Sequence, residues 1–135
     1  MKFEDRFFPR IWDGKRYWYP CFDELGISYI SRDLLLTEEN IRSLDWALSW
    51  RFSDDGDRID FVHIVEACTG LKDKNNNLIY EKDIIYDDGF DAYGEVLFDE
   101  GKFQVEIDGG IYDLYECLPV TKYGNIHQNP ELLDD

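Results

Sequence analysis

After residue 80 the apolar residues of this chain recur at every second position. Val96 and Phe98, then Phe103, Val105 and Ile107, alternate with polar neighbours on either side of Asp99-Glu100-Gly101-Lys102. Period two is the pleat of a β-strand, so these five side chains are predicted to share the inner face of a hairpin. Asp83-Ile84-Ile85-Tyr86 reads as the strand before it, and Asp87 to Asp91 as a loop. Asp108-Gly109-Gly110 turns the chain into a run from Ile111 to Leu118, and Pro119 punctuates before Val120 to Tyr123. Short strands at this spacing predict a small twisted barrel.

Before residue 80 the pattern is mixed. Pro9 to Asp13 and Lys15 to Tyr19 flank an Asp13-Gly14 pair, a hairpin signal because glycine reaches positive φ at little cost. Pro20 ends the second run or confines it to a sheet edge. Ile27 to Ser31 reads as a strand. The period then changes. Thr37 is an N-cap residue, and Glu38 and Glu39 set negative charge at a helix start. Ile41, Leu44 and Leu48 follow as one helical stripe, with Trp46 and Trp50 on a nearly opposite face. The expectation is one inserted helix around residues 38–51 with two apolar faces. The tryptophan face is covered by this chain, by another subunit or by a partner. Arg51 to Asp60 is a polar loop, and Ile59 to Ala67 reads as a strand. Ser53-Asp54-Asp55-Gly56-Asp57 lacks the alternating acids and closing Glu of a calcium loop, so it reads as a solvated turn.

At 135 residues the chain is one domain by length and needs no disulfide or metal to bury a core. Apolar residues make up 44% and aromatic residues 16% of it, which argues for an ordered, β-rich fold despite the charge. That charge is −16, from 14 basic and 30 acidic residues. It is uneven: residues 1–80 carry a net −4 and residues 81–135 a net −12. Such a field repels phosphate backbones, so direct nucleic-acid binding is not expected. It reads either as a solubilising surface or as one that meets a basic partner. Cys21, Cys68 and Cys117 are odd in number and form no C-x-x-C pair, so they read as reduced core thiols. No apolar run approaches a membrane span, and acids follow the N-terminal Met1-Lys2-Phe3. The expected setting is the cytoplasm, with no membrane contact.

Chemistry is scarce. Glu81 and Asp83 lie two apart and would share a strand face, but paired carboxylates need an enclosed site that separates their pKa values. The reading here is a charged strand face at a barrel mouth. His63 and His127 are isolated and make neither a zinc site nor a triad. No catalytic, cofactor-binding or metal site is expected.

Two segments carry a recognisable pattern. One is Thr69-Gly70-Leu71-Lys72-Asp73-Lys74-Asn75-Asn76-Asn77-Leu78-Ile79-Tyr80-Glu81-Lys82-Asp83. Its Asp73 to Asn77 core is a turn, because Asn tolerates the left-handed region and bonds its own backbone. The other is Gly124-Asn125-Ile126-His127-Gln128-Asn129-Pro130-Glu131-Leu132-Leu133, where Asn129-Pro130 initiates a turn. Ile126, Leu132 and Leu133 would then dock the tail. With Arg10-Ile11-Trp12-Asp13 near the start, these residues resemble the YopX family, small proteins carried mostly by phages and prophages. The resemblance covers residues 8–20 and 64–133. It departs at Asn76 and Lys82, where the family has glycine; a lysine held at positive φ would cost about 1 kcal/mol.

The resemblance implies a mainly β protein, a β-rich α+β chain of coiled antiparallel sheets with a C-terminal SH3-like barrel and no established activity. The whole chain is then one YopX-like domain, with N-terminal strands plus the helix in 1–68 and the barrel part in 69–135. Thr69, Gly70, Asp73, Asn76, Asp83, Gly124, Asn125, Asn129 and Pro130 are expected to be scaffold. The expected function is a non-enzymatic phage-type accessory protein that binds a protein or itself, with Trp46, Trp50, Asp87, Asp88 and Asp91 as contacts. One alternative is an acidic inhibitor that imitates nucleic acid and occupies a host DNA-binding or defence protein. Another is a small hydrolytic enzyme built on Glu81, Asp83 or His127.

Overall fold

Alternating apolar residues give pleated strands with one face to bury, and every ladder between the described residues is antiparallel. The computed structural model describes residues 8–23, 26–31, 41–43 and 64–134. The chain is mainly β and divides into two compact units, Met1–Ala67 and Cys68–Asp135.

The first unit holds β1 (Arg10–Trp12), β2 (Tyr17–Asp23), β3 (Gly26–Ile30), β4 (Ile41–Ser43) and β5 (Ile64–Glu66), in the order β4-β3-β2-β1-β5. Its first hairpin is built by Asp13. That carboxylate accepts the N–H groups of Lys15 and Arg16 at 2.8 and 2.9 Å and the Trp18 indole N–H at 2.8 Å. Gly14 takes the positive φ, 100°. Trp18, so oriented, buries with Ile11 and Tyr29. The β2 run does not end at Pro20, which pairs with Tyr29 of β3. The β1 ladder stops at Trp18, so β2 is paired on one side there and a missing N–H is tolerated.

Ile41 to Ser43 correct the sequence reading. They form a strand, with Ile30 opposite Ile41 and Ser28 opposite Ser43, where a helix around 38–51 was expected. Pairing with β3 supplies backbone partners that local periodicity cannot see, and such tertiary pairing overrides helix propensity. Thr37, Trp46, Trp50, the Ser53–Asp57 turn and His63 lie outside the described residues.

The second unit begins with a two-stranded ribbon, β6 (Cys68–Lys72) and β7 (Leu78–Tyr80). A five-stranded sheet follows, from β8 (Asp83–Asp87), β9 (Ala92–Asp99), β10 (Lys102–Ile107), β11 (Gly110–Asp113) and β12 (Thr121–Asn125), in the order β11-β10-β9-β8-β12. A short helix, α1 (Leu114–Cys117), and a 3-10 helix, η1 (Pro130–Leu133), flank β12. The sheet is open: among the described residues no ladder joins β11 to β12, so the expected barrel is not closed. β11 is only four residues long and gives way to α1 before it can reach across.

Val96, Val105 and Ile107 are buried together with Ile79, Ile85, Leu114 and Val120, on the face the alternation marked. Phe98 departs from it. It is 51% exposed, because it stands opposite Phe103 near the hairpin tip, beyond the core. The run from Ile111 to Leu118 is not one strand. Asp113 ends β11, and its carboxylate accepts the Tyr115 N–H at 2.9 Å to cap α1, which buries Leu114. Among the described residues no helix is long and apolar enough to cross a membrane.

Candidate functional site

The signature residues hold backbone. Asp73 is buried, and its Oδ1 accepts the N–H groups of Asn75 and Asn77, both at 2.9 Å. Its Oδ2 reaches 49 residues onward to the N–H of Lys122, at 2.9 Å, which stitches the turn to β12. Burial pushes the carboxyl up, but the N–H groups of Lys122, Asn77 and Asn75 outweigh it and hold it below the ordinary value. Thr69 donates its hydroxyl to the Ile79 carbonyl at 2.7 Å, and Gly70 takes φ 78° where the β6–β7 register shifts. Asn76 and Lys82 both adopt positive φ, 68° and 71°. The second arm of the reversal, β7, stays paired with β6 rather than joining the larger sheet.

Glu81 and Asp83 share no strand face. Glu81 lies in the turn before β8, whereas Asp83 is buried, accepting the Tyr80 N–H at 2.8 Å and the Lys122 ammonium at 3.1 Å. At the C-terminal signature, a Cβ on Gly124 would sit 2.2 Å from the Asn129 Oδ1, so glycine alone allows that approach. The same Oδ1 accepts the Asn125 N–H at 3.2 Å. Asn125 in turn accepts the N–H groups of His127 and Gln128 at 3.0 and 2.9 Å, and Pro130 starts η1.

One cluster escaped the sequence reading. Arg10 and Glu66 are each 1% exposed and stand directly opposite one another on β1 and β5. Arg10 Nε donates to Glu66 Oε1 at 2.9 Å, and the Tyr17 hydroxyl donates to the same oxygen at 2.9 Å. The guanidinium carbon lies 4.1 Å from the Tyr17 ring centroid. Only the facing registers of two strands distant in sequence bring these residues together, a signal that neither strand carries alone.

The exposed chemistry lies on the outward face of the five-stranded sheet. Tyr86 of β8 stands opposite Tyr93 of β9, and Tyr123 joins them from the bulge in β12. The three ring centroids are 5.2, 5.7 and 6.2 Å apart and the rings cross at 67° to 85°. Tyr123 is 55% exposed. The Tyr86 hydroxyl donates to the Asp91 carboxylate; that bond, then partial burial and the charges of Asp91 and Asp88, pushes the phenol up to about 12. Next to them a groove of about 690 Å³ runs between this face and η1, lined by Asp91, Tyr93, Glu95, Glu106, Asp108, Leu132, Leu133 and Asp134 among others.

The three expected aspartate contacts separate. Asp87 is buried and accepts the N–H groups of Gly89 and Phe90, so it builds the loop. Asp88 is exposed and already bonded to Lys74. Asp91 alone joins both the tyrosines and the groove. Among the described residues no group of three His, Cys, Asp or Glu side chains could hold a metal ion. The three cysteines form no disulfide and are half-buried; burial, then Asp87, Asp113 and Glu116, raises the Cys117 thiol above its ordinary value.

Antiparallel sheets joined by turns that Asp and Asn side chains cap define a class of small, mainly β protein. The chain belongs to the YopX family: the YopX protein family matches it over residues 9–134. Similar solved structures include the X-ray crystal structure of protein yopX from Bacillus subtilis, at 19% identity over 93% of this chain and 97% of that one, with a TM-score of 0.46. Comparison with the curated proteins gave no match.

Proposed function

We propose that this chain works by binding a protein, without catalysis, as a phage- or prophage-type accessory protein in the bacterial cytoplasm. The observation that carries this reading is the three-tyrosine surface beside an acid-lined groove. A groove walled by carboxylates, one phenol and two leucines offers charge and shape to a partner, whereas acyl or phosphoryl transfer needs a nucleophile with its base. The sheet connectivity supports it too. A short helix followed by a last strand that returns beside the first is the path of an SH3-like barrel, a scaffold that acts through its surface. The test is capture of host proteins by the tagged full chain and by its Tyr123→Ala variant, repeated with the purified partner. A partner held by the parent and lost from the variant is expected. No partner held by the parent, or turnover of generic ester or phosphoester substrates by the pure protein, overturns the reading.

The nucleic-acid-mimic alternative is favoured by one observation. Lys82, Lys102 and Lys122, the three lysines of residues 81–135, are each tied to a carboxylate, Glu95, Asp113 and Asp83. No lysine of that stretch is therefore left to offset its other exposed acids. On this version the captured partner binds DNA, and duplex DNA displaces it from the protein. Displacement that fails at saturating DNA rules it out.

A further inference from the structure

We propose that the corner formed by Tyr86, Tyr93 and Tyr123, with Asp91, receives an arginine side chain from a basic segment of the partner protein, and that the adjoining acidic groove holds the next basic residue. The proposal rests on the protein-binding reading and names the partner's chemistry. Its first support is an arrangement already present in the molecule. In the first unit a tyrosine hydroxyl donates to a carboxylate, and the pair together hold a guanidinium: Tyr17 to Glu66 at 2.9 Å, with Arg10 bonded to that carboxylate at 2.9 Å and 4.1 Å over the ring. In the second unit Tyr86 donates to Asp91 in the same way. This second pair is on the surface, and among the described residues no salt bridge to Asp91 is formed by an arginine or lysine of this chain.

The second support is shape. Rings that stand nearly perpendicular to one another, at 67° to 85°, can wall a corner, and Tyr123, 55% exposed, offers ring surface to a cation. A cation over such faces is attracted by the ring quadrupole. A planar guanidinium can stack on a ring and bond a carboxylate through two N–H groups at once, which an ammonium cannot do.

The third support is charge. Glu95 and Glu106 stand directly opposite one another on β9 and β10, a like-charge pair that is unfavourable by itself. Lys82 approaches Glu95 at 3.6 Å and leaves Glu106 and Asp108 with no salt bridge from the described residues. A second basic residue of the bound segment would relieve them, while Leu132 and Leu133 offer an apolar wall to its methylene stem. Nucleic acid is repelled by the same charges.

The test is fluorescence anisotropy of the full chain with labelled hexa-arginine and hexa-lysine peptides at moderate salt. Hexa-arginine is expected to bind about fivefold more tightly than hexa-lysine, and Tyr123→Ala to weaken hexa-arginine by about tenfold. Tyr86→Phe, which removes the hydroxyl that orients Asp91, should weaken it without disturbing the thermal melt. Asp108→Asn should lower affinity for both peptides alike. Glu116→Gln, on exposed α1 away from the groove, controls for net charge and should stay within about twofold. Equal binding of the two peptides, or losses from Glu116→Gln as large as those from Tyr123→Ala, overturns the site. If a partner is captured by the full chain yet survives Tyr123→Ala and the arginine peptide does not bind, this site fails and protein binding stands. If the arginine peptide binds selectively but no partner is captured, the protein-binding reading fails and the site stands.

Discussion

At Lys82 a lysine occupies φ 71°, a conformation that L-residues with a Cβ avoid. Both backbone groups are committed there. Its N–H donates to the Val96 carbonyl at 2.8 Å, and its carbonyl accepts the Ile126 N–H at 3.0 Å. The surrounding strands therefore impose the geometry, and the side chain bears the cost. Lys82→Gly should raise unfolding free energy in urea by about 1 kcal/mol, because the ion pair it sacrifices is partly exposed and worth little. A measured loss of stability would assign the position to Glu95 instead. Asn76 meets the same demand more cheaply through its short amide, so Asn76→Gly should change stability little. Asp73 sets a pH dependence. Its folded carboxyl lies below its ordinary value, so its contribution is fully present above the unfolded pKa of about 4 and is lost as pH falls through the folded one. Asp73→Ala should cost about 1–3 kcal/mol at neutral pH, by leaving three part-buried N–H groups without their acceptor, and should flatten the acid limb of a stability-versus-pH curve. An acid limb as steep as the parent's would show that other carboxylates dominate it. Asp13 has the same sign: burial raises it, but the Trp18 indole and the Arg16 and Lys15 N–H groups win.

The strands of the second unit were readable because each carries its own signal, period two bounded by Asp, Gly and Asn turns. Val96, Val105 and Ile107 therefore landed in the core as expected. Features that need a partner were not readable. Ile41 to Ser43 are strand only because β3 lies beside them, and Phe98 is exposed only because the core ends before the hairpin tip. Asp113 caps α1, but the β pattern around it concealed so short a helix. At the candidate site Asp91 was named as a contact, but the tyrosines were not singled out, since Tyr86, Tyr93 and Tyr123 are adjacent only across three strands. Close packing also makes one glycine decisive. A Cβ on Gly94 would lie 2.5 Å from Ile107 and 2.8 Å from the Glu106 carbonyl. Gly94→Ala should thus cost about 1–3 kcal/mol by forcing β9 and β10 apart, seen as faster hydrogen exchange in both strands. A variant with parental exchange would mean the ladder relaxes freely.

For the chain as a whole, charge is the dominant global term. With −16 overall and −12 of it after residue 80, the folded protein concentrates like charges that the unfolded chain can spread apart. Salt should therefore stabilise it. The thermal midpoint is expected to rise by several degrees from low to about 0.5 M sodium chloride, where the Debye length falls to a few ångströms. A midpoint that falls would place ion pairs such as Lys82 with Glu95 above the general repulsion. The buried Arg10–Glu66 pair has a consequence in time. Its two members are 56 positions apart, so closing β1 onto β5 means closing a long loop, a slow and entropically costly step. On a ribosome Arg10 emerges well before Glu66, and β1 then lacks the carboxylate it is built around. Until the chain has been read past residue 66, the first unit cannot complete its sheet, and a ribosome that stalls upstream leaves a nascent protein with that edge open.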